Sequence, residues 1–218
     1  MAGLITVFGG TGSLAAISWP CCYEVARRCA WPVRHPGRVR MTTEPAQAPE
    51  LTVRAVFPEA TIVRPSLVFG EDDHFFTRFA AMIRSSPVLP LIGGGITKFQ
   101  PVFVGDMTAG LLELLKRPET AGKIYEFGGP QVYSFKVLLE LLLTALNRQR
   151  ALLPIPFAVA EMQARLLELL PNPPLTRDQV RLLKTDKVVS GAEPTLGDLG
   201  VQPRPLEEFL TIFKDKYS

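Results

Sequence analysis

The strongest constraint on the fold of this chain is a strand-like run near its start that ends in a glycine cluster. The apolar, β-prone run Leu4–Phe8 is followed directly by Gly9, Gly10, Thr11 and Gly12. Glycines allow a tight turn and let bare N–H groups approach phosphate oxygens, and the N-terminus of a following helix adds its positive dipole end. With Ala15 as the third small residue, the spacing predicts a diphosphate-binding turn between a buried strand and a helix. A plain glycine turn after a strand is the alternative.

Composition limits the classes of protein to which the chain can belong. Its 218 residues predict one domain, or one domain with a small appendage. The net charge of +3 is too small to indicate a nucleic-acid partner. The three cysteines lack a second pair at metal-ligand spacing, so we predict no metal site and no disulfide framework.

The first 23 residues carry no charged side chain, which raises the question of a targeting or membrane segment. No positive charge precedes this stretch, and glycines and Pro20 interrupt it. We therefore predict a cytoplasmic protein with neither a signal peptide nor a transmembrane helix.

From about residue 51 onward, strand-like and helix-like segments alternate, which is typical of a parallel sheet with covering helices. The sequence predicts strands at 60–64, 99–104 and 123–127 and a Pro/Gly-rich loop at 86–97. It predicts helices that begin at Asp72 or Asp73, Asp106, Ser134, Phe157 and Pro205. The last helix is expected to bury Phe209, Ile212 and Phe213 on one side. A further helix is expected directly after the glycine turn, with an early interruption at Pro20.

Several motifs together resemble the extended or atypical short-chain dehydrogenase/reductase superfamily. Within it, the chain is similar to the NAD(P)-binding accessory subunit of respiratory complex I, of the 39-kDa type, and to its bacterial relatives. The motifs that carry the resemblance are Val7–Gly12, Ala60–Gly70, Gln100–Met107, Tyr125–Gly129, Pro173–Gln179 and Leu199–Phe209.

The resemblance implies an α/β fold: a reduced Rossmann-like parallel sheet with a mostly helical C-terminal portion. It places an NAD(P)-binding domain at 1–130, incomplete between 13 and 50, and a helical portion at 131–218. It also places Pro65 and Ser66 on the nicotinamide side of a cleft at the carboxyl ends of the strands. The implied cofactor is NADP or NAD. A strand-ending turn is the alternative for Pro65 and Ser66.

The chain also departs from the family in its first half. Only about 45 residues separate Gly12 from Ala60, whereas three or four βα units of ~30 residues need on the order of 100. The hypothesis is that the chain is an internally truncated or locally frame-shifted family member.

The family's catalytic Tyr-x-x-x-Lys pair is absent, because none of the four tyrosines has a lysine four positions later. We therefore predict no catalytic residue. The acid expected after the fingerprint for a ribose hydroxyl is also absent, and Arg34 stands in a comparable place, which slightly favours NADP. A solvated basic stretch is the alternative for Arg34. Arg64 is expected to pair with a carboxylate.

Three functions remain open on this basis. The first is a non-catalytic dinucleotide holder that docks on complex I subunits, peripheral to the inner respiratory membrane. The second is an NAD(P)-dependent reductase or epimerase, and the third is a defective product without a stable cofactor site. The apolar helix at 157–170 is predicted to be core, with docking on a partner or a membrane as its alternative.

Overall fold

The computed structural model describes residues 4–8, 14–18, 47–70, 73–168 and 177–217. The first half of this region contains β1 (Leu4–Phe8), β2 (Leu14–Ser18), α1 (Gln47–Val56), β3 (Thr61–Pro65), β4 (Val68–Phe69), α2 (His74–Ser85), β5 (Val88–Ile92), β6 (Lys98–Phe99) and β7 (Val102–Phe103). The second half contains α3 (Val104–Lys116), β8 (Ile124–Phe127), β9 (Tyr133–Ser134), α4 (Phe135–Ala145), β10 (Ala151–Ile155), α5 (Phe157–Leu167), α6 (Arg177–Leu182) and α7 (Leu206–Tyr217).

The central sheet has four strands in the order β2-β1-β3-β8. Strand β3 is its middle, with β1 parallel on one side (Ile5 beside Thr61) and β8 parallel on the other (Ile62 beside Ile124). The carboxyl ends of three strands therefore meet at one edge. This arrangement confirms the predicted α/β class with a reduced parallel sheet.

The prediction of a helix after the glycine turn is wrong, because Leu14–Ser18 is a strand that pairs antiparallel with β1. The hydrogen bonds to β1 satisfy the backbone of this segment in place of helical hydrogen bonds.

Helices cover both faces of the sheet. On one face α1 contributes Glu50, which binds Arg64 of β3. On the other face Leu114 of α3 packs in a buried cluster with Val63 and Phe127. The outer edge of β8 is covered by backbone, since the Glu126 N–H donates to the Pro194 carbonyl at 2.9 Å. A covered edge protects the sheet from pairing with another chain.

A larger buried cluster lies among α2, α4, α5, α6 and α7. Its aromatic centre consists of Phe69, Phe75, Phe76, Phe79, Phe99, Phe135, Phe209 and Phe213. This core joins residues from 69–99 with residues from 133–213, so its members come from both sides of position 130. The domain boundary between residues 130 and 131 stays a prediction.

The prediction of a loop at 86–97 is wrong over residues 88–92. Residues 88–92 form β5, which pairs in parallel with β10, with Val88 beside Ala151 and Ile92 beside Ile155. Each strand contains a proline in an otherwise apolar run, and both belong to a two-stranded sheet, where prolines are tolerated at the edges.

Local helix signals gave mixed results. The predictions of Asp73 and Ser134 as N-caps are confirmed, because Asp73 accepts from the Phe76 N–H and Ser134 accepts from the Val137 N–H. The prediction for the last helix is wrong at Ile212, which is 66% exposed while Phe209 and Phe213 are buried.

Asp106 is not an N-cap, which corrects the sequence prediction. Helix α3 begins at Val104, and Asp106 lies in its first turn with only 5% of its surface exposed. Its carboxylate accepts from the Arg204 backbone N–H at 2.7 Å and from Arg204 Nε at 3.1 Å. The Arg204 guanidinium also lies over the Phe103 ring, 4.5 Å from its centroid. Asp106 thus fixes the segment that leads into α7.

Replacing Asp106 by Ala should therefore lower the free energy of unfolding by about 1.5 to 3 kcal/mol, because two hydrogen bonds from Arg204 to a buried carboxylate are lost. Chemical denaturation measures the change. Asp186→Ala, at an exposed carboxylate that binds the Lys98 N–H, is the control and should cost less. Equal losses in the two variants would contradict the role assigned to Asp106.

Candidate functional site

The candidate site is the edge of the sheet where β1, β3 and β8 end, at Phe8, Pro65 and Phe127. In open parallel sheets, ligands bind outside the carboxyl ends of the strands. The predicted residues Gly9, Gly10, Thr11, Gly12 and Arg34 lie outside the described residues. Their role as cofactor contacts stays a prediction.

The structure places Pro65 and Ser66 at this edge. Pro65 is the last residue of β3 and lies beside Phe127. The Ser66 N–H donates to the Phe127 carbonyl at 2.9 Å, and the Ser66 hydroxyl donates to the Lys187 carbonyl. Ser66 therefore ties the end of β3 both to β8 and to the segment around residue 187. Contact of either residue with a cofactor stays a prediction.

Gln100 is a second link at the same edge, which the sequence analysis quoted only as part of a family motif. Its Nε2 donates to the Gly129 carbonyl at 2.7 Å, and its Oε1 accepts from the Val189 N–H at 3.0 Å. Gly129 must stay a glycine here, because a Cβ would lie 1.8 Å from the backbone oxygen of Pro101. The close approach of these segments gives the edge a fixed backbone.

An ion cluster lies on the α1 side of β3. Arg64 donates to both carboxylate oxygens of Glu50, at 2.7 and 2.5 Å, and its NH1 lies 3.5 Å from Glu126. As whole residues, Glu50 and Glu126 are each 7% exposed. The hydrogen bond to Glu50 raises the pKa of the Arg64 guanidinium above its ordinary value, and the charges of Glu50 and Glu126 add to this shift. The expectation that Arg64 pairs with a carboxylate is confirmed.

Lys187 is the cation that the sequence analysis missed at this edge. Its side chain is half-buried, and burial lowers its pKa below the ordinary value. Within the ranges that the structure covers, no carboxylate forms an ion pair with its ammonium group. No pattern in the sequence marked Lys187, because its neighbours come from distant segments.

Strand β2 lies where the sequence predicts the helix after the glycine turn, so residues 14–18 do not offer a helix N-terminus to an anion.

A separate cavity of about 600 Å³ borders Tyr125, Thr120 and the segment 191–195. It lies toward the opposite edge, because the Thr61 hydroxyl at the start of β3 donates to the Thr120 carbonyl. Burial raises the pKa of the Tyr125 hydroxyl. Over the residues with described positions, no group of three His, Cys, Asp or Glu side chains could hold a metal ion. Nor does any helix there have the length and apolar character needed to cross a bilayer.

Comparison with known sequences identifies relatives, although no family-wide sequence model matches the chain. It is 34% identical over 188 residues to the mitochondrial NADH dehydrogenase (ubiquinone) 1 alpha subcomplex subunit 9 of Arabidopsis thaliana, which covers 82% of this chain. It is 38% identical over 160 residues to the subunit of the same name from Mus musculus, which covers 72% of this chain. This chain belongs to the complex I 39-kDa-type accessory-subunit family. It spans 46% and 42% of the lengths of these two relatives.

Solved structures agree with this family membership at the level of the fold. A human epimerase family protein with NADPH superposes with a TM-score of 0.54 at 21% identity, covering 72% of this chain and 48% of that one. The protein named gox2253 gives a TM-score of 0.53 at 20% identity, covering 78% and 54%. These similarities show a shared Rossmann-like fold.

Proposed function

We propose that this chain is a dinucleotide-holding accessory protein of a complex I-type NADH dehydrogenase. The observation that carries the proposal is its homology to alpha subcomplex subunit 9 proteins over 72–82% of its length. The bound dinucleotide stabilises the fold by mass action and is not turned over.

The sheet edge fits a dinucleotide in two respects. Three parallel strands end there, and the hydroxyl of Ser66 lies there. The N–H groups of Gly9, Gly10, Thr11 and Gly12 would face the diphosphate, and Pro65 and Ser66 the nicotinamide. When bound, the dinucleotide supplies a nicotinamide capable of hydride transfer.

The residues of the chain are the reason why we expect the dinucleotide to be bound without being turned over. None of its four tyrosines has the lysine four positions later that lowers a catalytic tyrosine's pKa in this superfamily. Tyr125 lies in the middle of β8, and burial raises its pKa, which makes it a poorer proton donor at neutral pH. The proposed cofactor is NADP or NAD, with NADP favoured by Arg34.

The proposed partner surface is the outer face of α5. Val159, Met162 and Leu166 recur at helical spacing there and are 39%, 60% and 65% exposed. Ala160 and Ala164 form the opposite, fully buried face. An exposed apolar stripe of this kind is typical of a docking surface. We propose respiratory-complex subunits as its partners, peripheral to the inner membrane, which agrees with the mitochondrial names of the relatives.

Fluorescence titration with NADPH and NADH, followed by thermal unfolding with and without each dinucleotide, tests the proposal. Saturation at 100 times the dissociation constant should stabilise the chain by about 2.7 kcal/mol. Gly12→Asp should abolish binding, because it places a carboxylate in the predicted diphosphate turn, whereas Gly197→Asp should bind normally.

Two results would contradict the holder function. Steady oxidation of NADPH with a carbonyl or quinone substrate would support the alternative, a reductase or epimerase, whose fold this chain shares. A midpoint temperature of thermal unfolding that neither dinucleotide changes would support a defective product without a cofactor site.

A further inference from the structure

The cavity that borders Tyr125 lies toward the edge of the sheet opposite the proposed dinucleotide site. Its volume of about 600 Å³ is within the range of small-molecule sites in proteins. Thr120 and Pro194 line it, and both are tied to the sheet. The Thr120 carbonyl accepts from the Thr61 hydroxyl at the start of β3, and the Pro194 carbonyl accepts from the Glu126 N–H of β8, each at 2.9 Å. The walls are therefore held in place by the central strands.

Tyr125 directs an unpaired hydroxyl into this cavity. The residue is only 5% exposed, and it packs in the buried cluster with Val63 and Phe127. Burial raises the pKa of its hydroxyl, and the charges of Glu119 and Arg117, two residues of the cavity wall, act on the same group. No hydrogen-bond partner for the hydroxyl occurs among the residues that the structure describes. A polar group in a buried side chain is unfavourable without a partner, so a ligand atom in the cavity would stabilise it.

The wall of the cavity carries more negative than positive charge. Glu119, Glu193 and Asp198 line it together with one cation, Arg117. That guanidinium is already engaged, because its NH2 donates to the Leu199 carbonyl at 2.9 Å. Glu119 and Glu193 form no ion pair within the part of the chain that the structure covers. The excess of carboxylates favours a positively charged ligand.

An organic cation suits this wall better than a metal ion. Among the residues with described positions, no three His, Cys, Asp or Glu side chains form a group that could hold a metal. The Asp198 carboxylate already accepts from the Thr195 N–H at 2.7 Å and from the Thr195 hydroxyl at 3.0 Å. An ammonium or guanidinium group carries several N–H donors, so it can donate to the Tyr125 oxygen and to a glutamate at once.

We propose that this cavity is a second ligand site, which binds a small organic amine or guanidine at Tyr125. The N–H groups of the ligand donate to the Tyr125 hydroxyl oxygen, and the carboxylates of Glu119 and Glu193 compensate its charge. The site is separate from the proposed dinucleotide site, because the two lie toward opposite edges of the sheet.

Isothermal titration calorimetry with agmatine, which carries an ammonium and a guanidinium group, tests the proposal. Tyr125→Phe removes only the hydroxyl and should weaken agmatine binding by about tenfold or more, because a hydrogen bond to a charged group is lost. Tyr133→Phe is the matched control, since Tyr133 is 8% exposed and its hydroxyl binds Glu207 at 2.7 Å, outside the cavity wall. It should change agmatine binding by less than about twofold.

The contribution of charge is tested separately. The double variant Glu119→Gln, Glu193→Gln should weaken agmatine binding by about fivefold or more, whereas Glu208→Gln, at an exposed glutamate outside the cavity wall, should leave it unchanged. 1-Butanol, an uncharged probe, should bind the parent more weakly than agmatine does.

Thermal unfolding without ligand gives an independent check on the unpaired hydroxyl. Tyr125→Phe should unfold at the temperature of the parent or above, because the hydroxyl that it removes has no partner in the described chain. Tyr133→Phe should unfold at a lower temperature, because it loses hydrogen bonds to Gln131 and Glu207.

Three results would overturn the proposal: no binding of agmatine to the parent up to about 10 mM, equal binding to the parent and Tyr125→Phe, or binding of 1-butanol as tight as that of agmatine. None of them bears on the dinucleotide. If NADPH and NADH bind while agmatine does not, only the second site is wrong, and if agmatine alone binds, only the holder function is wrong.

Discussion

Arg64→Met should lower the free energy of unfolding by about 2 to 4 kcal/mol at pH 7. Removing one partner of a buried ion cluster leaves the other charges without compensation, which costs about 3 to 5 kcal/mol when all groups are fully buried. Here the carboxylate side chains are 9% exposed, but that of Arg64 is 32% exposed, so solvent reduces the loss. Urea denaturation followed by circular dichroism measures the change.

In Arg64→Met the Glu50 and Glu126 carboxylates lose the cation that lies between them, so their mutual repulsion adds to the loss of stability.

Two further variants separate charge from packing. Adding Glu50→Gln to Arg64→Met should recover part of the stability, because it removes one uncompensated charge. Arg84→Met, at an exposed position in the last turn of α2, should change stability by less than about 0.5 kcal/mol. A loss of stability in Arg64→Met that Glu50→Gln does not relieve would contradict the electrostatic account.

Phe76→Ala, which truncates a side chain in the buried aromatic cluster, should lower the free energy of unfolding by about 3 to 5 kcal/mol. Phe76 is fully buried in α2, and its ring lies 5.2 Å from that of Phe75 and 6.3 Å from that of Phe209, measured between ring centroids. Truncation removes apolar burial and leaves a cavity that rigid neighbours fill only in part. The contact with Phe209 also joins α2 to α7, so the loss should extend to the C-terminal helix.

Differential scanning calorimetry measures the loss of stability in Phe76→Ala, and hydrogen exchange measures the protection of α7. Phe76→Leu should cost less than the alanine variant, because it keeps most of the buried volume. Phe57→Ala, at a phenylalanine that is 54% exposed, should cost much less than Phe76→Ala. Equal losses at the two phenylalanines, or unchanged protection of α7 in Phe76→Ala, would show that the aromatic cluster does not unite these helices.

The features that the sequence predicted correctly depend on neighbouring residues. The apolar run before Pro65 specified β3, and Asp73 and Ser134 capped helices because a side-chain oxygen reaches an N–H group three residues ahead. The family motifs added the α/β class, because they cover separate elements in the family's order. Each of these signals can be read without knowing what lies across the fold.

The errors occurred where a distant segment decided the outcome. Residues 88–92 looked like a loop because of their prolines, yet β10, 63 positions later, provides a strand beside them. Asp106 looked like a cap because of its place near a helix start, yet Arg204 binds its carboxylate from 98 positions away. The antiparallel strand β2 likewise displaced an expected helix.

The sequence by itself determined strands β3 and β8, the helix caps at Asp73 and Ser134, the family and the absence of a Tyr-x-x-x-Lys pair. Only the tertiary structure decided which distant groups bind each other, because Ser66 and the Lys187 carbonyl are 121 positions apart and Arg64 reaches Glu126 from a neighbouring strand. The physical reason is that capping and periodicity are set within a few residues, whereas burial and ion pairing depend on which segments the folded core brings together.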